Sequence, residues 1–234
     1  MVELSVPTAA GTVKKKAYHH GDLRNAIILE ATARARTHGE KAIVLREIAP
    51  VIGVSATAAY RHFANRQQLV EEVSAQGFVA MSEQISVPRV TGADDAPVLA
   101  AYVDLRNAGV ALVQFAAAEP AWARMMMETT GSSLNVAEHA WAACQPFQDI
   151  IDYGVEAGTF RAGTRIREQR VLWAGLDGLC ANAMFGLFPA EAPEADRVTA
   201  RTIDLCMTDL LTEEGLRVRD EASLPNGIIT DLPR

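Results

Sequence analysis

Cysteine is scarce: Cys144, Cys180 and Cys206 are the three present in 234 residues, widely spaced and without a CxxC pair, a pattern that suggests a reduced, cytoplasmic interior. Long apolar runs are lacking as well. The most apolar later stretch, 171–188, is interrupted by Asp177, Asn182 and several glycines, which argues against a membrane span. The run Lys14 to Lys16 leads into Ala-Tyr-His-His-Gly-Asp and not into an apolar segment, so it is not read as a secretory signal. Strand-like alternation is missing throughout, leaving an all-α chain. No nucleophile elbow, phosphate loop, HExxH or paired-Glu arrangement occurs, and catalysis has no residues to carry it. His19, His20 and Asp22 lack a third group at a useful spacing, so neither a metal nor a cofactor is expected.

An excess of positive charge is also lacking, the formal net charge being −7. Its distribution is uneven. Residues 14–70 hold ten Lys or Arg (Lys14, Lys15, Lys16, Arg24, Arg34, Arg36, Lys41, Arg46, Arg61 and Arg66) against four acids, so this segment is +6 and the remainder −13. A basic footprint joined to an acidic body fits a DNA-binding head; a merely solvated charged face fits as well.

What occupies that basic segment is a helix-turn-helix pattern. Leu45, Ile48, Ala49 and Ile52 form one apolar stripe at helical spacing. Gly53 allows a tight reversal, and Ser55 is placed to cap a second helix. Ala56, Thr57, Ala58 and Ala59 open that helix with side chains short enough for close approach to a major groove. Tyr60, Arg61 and His62 follow on the next turn, where phosphates would be met, and Phe63 returns to the core. Thr57 and Ala58 are the expected base-facing residues; Arg46, Ser55, Tyr60, His62 and Arg66 are expected at phosphates. Val44 is a poor cap and Pro50 removes a ladder bond, so the first of the two helices is expected to be bent or loosened at its start.

The run YHHGDLRNAIILEATARARTHG followed by LREIAPVIGVSATAAYRHFANRQQLV resembles the N-terminal domain of the TetR family of transcriptional regulators. Within it, YHHGDLR, FAAAEPAWARMM and VLWAGLDGL resemble the subgroup marked by a Trp…His-Gly motif. Here that motif reads Trp173…Asp177-Gly178, with no histidine. The resemblance implies a three-helix DNA-binding domain and a helical ligand-binding and dimerisation domain. It also implies a homodimer, double-stranded operator DNA as partner, and a small-molecule effector.

The expected divisions are a disordered tail over 1–17, the helix-turn-helix domain over 18–65, a regulatory and dimerisation domain over 66–214, and an irregular extension over 215–234. Helices are predicted over 21–37, from 66 to before Pro88, and over 98–118, 121–129, 135–157, 166–188 and 194–214, with Pro146 kinking the long middle one.

The last two long helices are the expected dimer pair. Gly175, Gly178, Asn182 and Gly186 make a smooth strip on one, and Val198, Ile203, Cys206 and Leu210 an apolar stripe on the other. Ordinary packing within one chain would use the same stripes. Tyr102, Phe115, Trp122, Met126, Trp141, Tyr153 and Trp173 supply the large and adaptable side chains expected around a small apolar or amphipathic ligand, although most such residues serve as core. Asn107, Gln114, His139 and Asp177 are polar groups that could orient it. Asp177 stands out because a carboxylate in an apolar, glycine-rich helix needs a partner or solvent. The functional expectation is a ligand-responsive transcription factor that represses from a palindromic operator. The alternatives are a ligand-independent architectural DNA binder and an all-α small-molecule-binding protein or enzyme.

Overall fold

The computed structural model describes residues 20–86, 89–90, 92–187 and 193–221. The expected tail, the Lys14 to Lys16 run and the last thirteen residues of the expected extension lie outside them. Eleven α-helices are described: α1 (His20–His38), α2 (Leu45–Val51), α3 (Ala56–Tyr60), α4 (Arg66–Ile85), α5 (Pro97–Ala118), α6 (Pro120–Thr130), α7 (Leu134–Ala142), α8 (Gln145–Glu156), α9 (Arg170–Met184), α10 (Pro193–Cys206) and α11 (Glu213–Glu221). The fold is all-α; an isolated bridge between Phe160 and Leu211 is the sole β-type pairing among the described residues.

Helix α5 is the axis of the body. Residues from Ala100 to Ala116 are buried on nearly every face, the mark of an apolar helix wrapped by others. Helices α4, α8, α9, α10 and α11 surround it. Its polar members are engaged across the core: Arg106 faces Asp204 at 3.5 Å, Tyr102 donates to that carboxylate at 2.8 Å, and Asp104 accepts from Val90 N–H at 3.2 Å.

At the other end α1, α2 and α3 close a small bundle on Ile27, Ala31, Ile43, Leu45, Ile48 and Phe63. Helix α4 runs from that bundle into the body, its first turn capped by Asn65, whose side chain accepts from Gln68 N–H at 2.8 Å.

Three helix boundaries depart from expectation. The predicted middle helix over 135–157 is two helices, α7 and α8, separated at Ala143 and Cys144. Pro146 falls in the first turn of α8, where its missing N–H is an orphan in any case, so it starts a helix and does not kink one. The last predicted helix stops at Cys206, and α11 takes in residues 215–221 of the extension expected to be irregular, with Arg219 donating to the Thr208 hydroxyl at 3.0 Å. Between α5 and α6 the break at Glu119 follows from Pro120, which disfavours helical geometry in the residue before it.

Candidate functional site

The α2–α3 corner is built by local rules. Val44 offers no side-chain cap, as its sequence requires, yet its carbonyl accepts from Glu47 and Ile48 at 2.9 and 3.0 Å. The start of α2 is therefore regular, contrary to the expected loosening. Pro50 lies in the last turn, and its carbonyl takes part in ending the helix. Gly53 N–H donates to Pro50 O at 3.1 Å and Val54 N–H to Ala49 O at 2.9 Å, with Gly53 at φ 78°, the Schellman arrangement. Ser55 then caps α3, its hydroxyl accepting from Ala58 N–H at 3.2 Å.

Arg46, Thr57, Tyr60 and Arg61 are exposed around this corner, Ala56, Ala58 and His62 are half-buried, and Ala59 and Phe63 are buried. Thr57 thus stands outward on α3 with Ala56 and Ala58 beside it, a short-side-chain surface between cationic and aromatic flanks.

The basic segment is less available than its count implies. Among its seven described cations, Arg24 pairs with Glu72, Arg34 with Glu30 and Glu47, Arg36 with Glu119 and Arg66 with Glu40. Arg66, expected at a phosphate, is instead a brace for the turn before α2. It donates through Nε to Ile43 O at 2.9 Å, through Nη2 to Glu40 O at 2.6 Å and through Nη1 to the Glu40 carboxylate at 2.7 Å. Lys41, Arg46 and Arg61 have no ion-pair partner among the described residues.

A second feature is a cavity of about 380 Å³ enclosed by α4, α5, α6, α7 and α9. Five expected ligand residues line it: Phe115, Met126, Trp141, Trp173 and Asp177. Three do not. Tyr102 is buried against Asp204; that burial and the neighbouring negative charge push its phenol up. Trp122 donates to Val73 O at 3.1 Å between α4 and α6, and Tyr153 lies under the Arg89 guanidinium at 3.6 Å. Of the polar candidates Asp177 alone lines the cavity. His139 faces a separate groove of about 450 Å³ beside Phe78, Ser82 and Glu83.

Phe78, Met81, Cys144, Arg170 and Cys180 are lining residues that sequence reasoning missed. The α4 members carry the signal of an ordinary core stripe. Trp141 and Trp173 meet edge to face at 6.1 Å, and Trp173 is fixed by its Nε1 donating to Ile166 O at 2.7 Å. Burial, with the Asp177 charge added, pushes the Cys144 and Cys180 thiols up to about 12, so both stay protonated.

Residues 105–206 match the family model described as "Tetracyclin repressor-like, C-terminal domain". This stretch is similar to that family's C-terminal domain, and the run over 18–80 that resembles its N-terminal domain lies outside the match. No curated protein matches it in sequence. Solved structures with this fold include a protein of unknown function from Rhodococcus sp. RHA1, 24% identical, with TM-score 0.66, over 85% of this chain and 100% of that one. SmeT, the repressor of the Stenotrophomonas maltophilia multidrug efflux pump SmeDEF, is 18% identical with TM-score 0.58, over 90% and 97%. A transcriptional regulator from Saccharomonospora viridis solved with choline is 15% identical with TM-score 0.55, over 82% and 100%.

Helix α6 touches both features. Ala123, Met126, Met127 and Thr130 line the cavity, while Glu119 at its start bonds to Arg36 on α1 and the Arg36 guanidinium lies 5.8 Å from the Trp122 ring. At its middle, Arg124 donates to Met184 O at the end of α9 at 3.1 Å and covers Phe185.

The expected dimer strip divides between two surfaces. A Cβ at Gly175 would collide with Cys206 Sγ of the same chain, and Leu210 is 4% exposed, so Gly175, Cys206 and Leu210 serve α9–α10 packing within one subunit. Gly178 faces open space, Asn182 is half-buried, and Gly186 lies beyond the end of α9. Val171, Phe185 and Leu205 are exposed at 60%, 66% and 58%. No helix among the described residues is long and apolar enough to cross a membrane.

Proposed function

We propose that the chain is a TetR-family regulator acting as a ligand-responsive repressor, a homodimer that holds a palindromic operator until a small apolar or amphipathic molecule enters the cavity bounded by α4 and α9. One observation carries the reading: α6 lines the cavity with Met126 and Met127 and, within three turns, is bonded to α1 of the DNA-binding head through Glu119. A ligand can shift this equilibrium only by favouring one state of the packing over the other. A close-packed α1–α4–α6 contact is the element through which such a preference would reach the reading head.

On this reading α3 enters the major groove, with Thr57 exchanging a hydrogen bond with a base edge and Ala58 meeting a thymine methyl. Arg46, Tyr60, Arg61 and His62 hold phosphates. The outer faces of α9 and α10, with Val171, Gly178, Asn182, Phe185 and Leu205, form the four-helix dimer contact that spaces two heads about 34 Å apart. The related fold of SmeT, a repressor, and of the regulator solved with choline supports both halves of this reading.

The test is operator release. An operator is selected from random duplexes with the purified protein, and a metabolite panel is screened for displacement by fluorescence anisotropy. At least one compound should release DNA and raise the melting temperature of the free protein. If none does either, the ligand-responsive reading fails.

A further inference from the structure

The cavity contains a charge that the chain does not neutralise. Asp177 lies on its α9 wall and has no hydrogen-bond or ion-pair partner among the described residues. Asp177 is exposed at the cavity wall, yet partial desolvation there pushes its carboxyl above the usual carboxylate range. The two thiols within its field, Cys144 and Cys180, remain protonated and supply no compensating charge.

The surroundings add potential of the same sign. Trp141 and Trp173 form their edge-to-face pair on this wall, and indole faces are negative. Two cations are near enough to consider. Arg170 also lines the cavity but is exposed and seven residues from Asp177, about 10 Å along the helix axis. Arg167 is not part of the lining but lies over the Trp141 ring at 4.6 Å, so Trp173 supplies the indole face that no cation covers among the described residues.

We infer that the cavity takes an organic cation with an apolar body, its ammonium or comparable group held by Asp177 beside the Trp141–Trp173 pair. This rests on the cavity being the effector site. An uncharged ligand would bury the carboxylate without compensating it, and an anion would meet a like charge. The apolar body packs on Phe78, Phe115 and Met126, the methionine adapting to its shape. A volume of about 380 Å³ suits a compact monocation.

Three probes of similar shape separate the possibilities on the full-length protein: phenethyltrimethylammonium, its uncharged carbon isostere neohexylbenzene, and the anion phenylbutyrate. Binding is read by tryptophan fluorescence and by calorimetry. The cation should bind the parent at least about ten-fold more tightly than the isostere. Asp177→Asn should abolish that preference while leaving isostere affinity unchanged, and Asp177→Ser should behave alike. Equal affinity for cation and isostere, or tightest binding of phenylbutyrate, overturns the cation inference and leaves the effector cavity standing. A cation preference that survives both substitutions overturns the assignment to Asp177. Binding by none of the three overturns the cavity reading together with this one.

Discussion

Arg36, in the last turn of α1, closes on Glu119, the residue at which α5 ends and α6 begins: Nε donates to Oε2 at 2.8 Å and Nη2 to Oε1. The pair ties the α1–α3 bundle to the helix that lines the cavity. The bidentate hydrogen bonds hold Arg36 more firmly protonated than a solvated guanidinium.

The first prediction concerns that tie. Arg36 is half-exposed and Glu119 largely buried, so the pair should contribute about 0.5–1 kcal/mol. A double-mutant cycle with Arg36→Met and Glu119→Gln in urea checks this. Amide exchange at Thr37, His38 and Gly39 should also quicken in each variant. A coupling of zero with unchanged exchange would remove the tie as a link between the two parts.

Arg46 and Arg66, alike in sequence, should behave oppositely. Arg46→Ala should weaken binding to all DNA sequences and lower the salt-dependence slope by about one, since its guanidinium is unpaired and exposed. Arg66→Ala should chiefly lower the melting temperature, because it removes three bonds that hold the Glu40–Ile43 turn. Binding titrations at several salt concentrations together with thermal melts decide between the roles; an Arg66→Ala slope that falls as steeply would return that residue to the phosphate contacts.

Two glycines on α9 should part in the same way. Gly175→Ala places a methyl against Cys206 Sγ inside one subunit and should destabilise the fold by about 1–3 kcal/mol. A Cβ at Gly178 meets nothing within 4 Å in its own chain, so the monomer should tolerate Gly178→Leu while sedimentation shifts toward monomer. An unchanged dimer would move the interface elsewhere.

Asp177 sets a pH dependence. Burial raises its carboxyl pKa in the folded state, so ionisation opposes folding above that pKa, and the penalty disappears as pH falls through it. Asp177→Asn should therefore melt higher than the parent at about pH 8, with the difference closing toward about pH 4. A difference that widens on acidification would contradict the desolvated carboxylate.

Much of the α1–α3 bundle was legible because its determinants are local. Gly53 with positive φ and Ser55 with a capping hydroxyl act within four residues of where they stand, and both were readable at their spacing. Pro50 was misjudged because the boundary was unknown: the same proline loosens a helix in its middle and harmlessly attends its end. The break at Ala143 and Cys144 was hidden for the same reason, Pro146 being compatible with a kink or with a first turn.

Membership of the cavity was only partly readable. Trp122, Trp141 and Trp173 carry the same side chain, yet one donates across the α4–α6 contact while two face the cavity. Periodicity identifies an apolar stripe and leaves open what covers it. Charge was equally ambiguous: Arg24, Arg34, Arg36 and Arg66 counted toward a basic footprint, and each is tied to a carboxylate, Arg24 and Arg36 to ones far along the chain.

The sequence by itself determined the all-α class, the helix-turn-helix with its cap and turn, and the asymmetry of charge, since backbone sterics and hydrogen-bond geometry act over a few residues. Only the tertiary structure decided which cations remain available, that Gly175 packs inward while Gly178 faces outward, and that Asp177 stands unpaired in an aromatic cavity. Those outcomes depend on which helix faces meet, and that is set by packing the whole chain around α5.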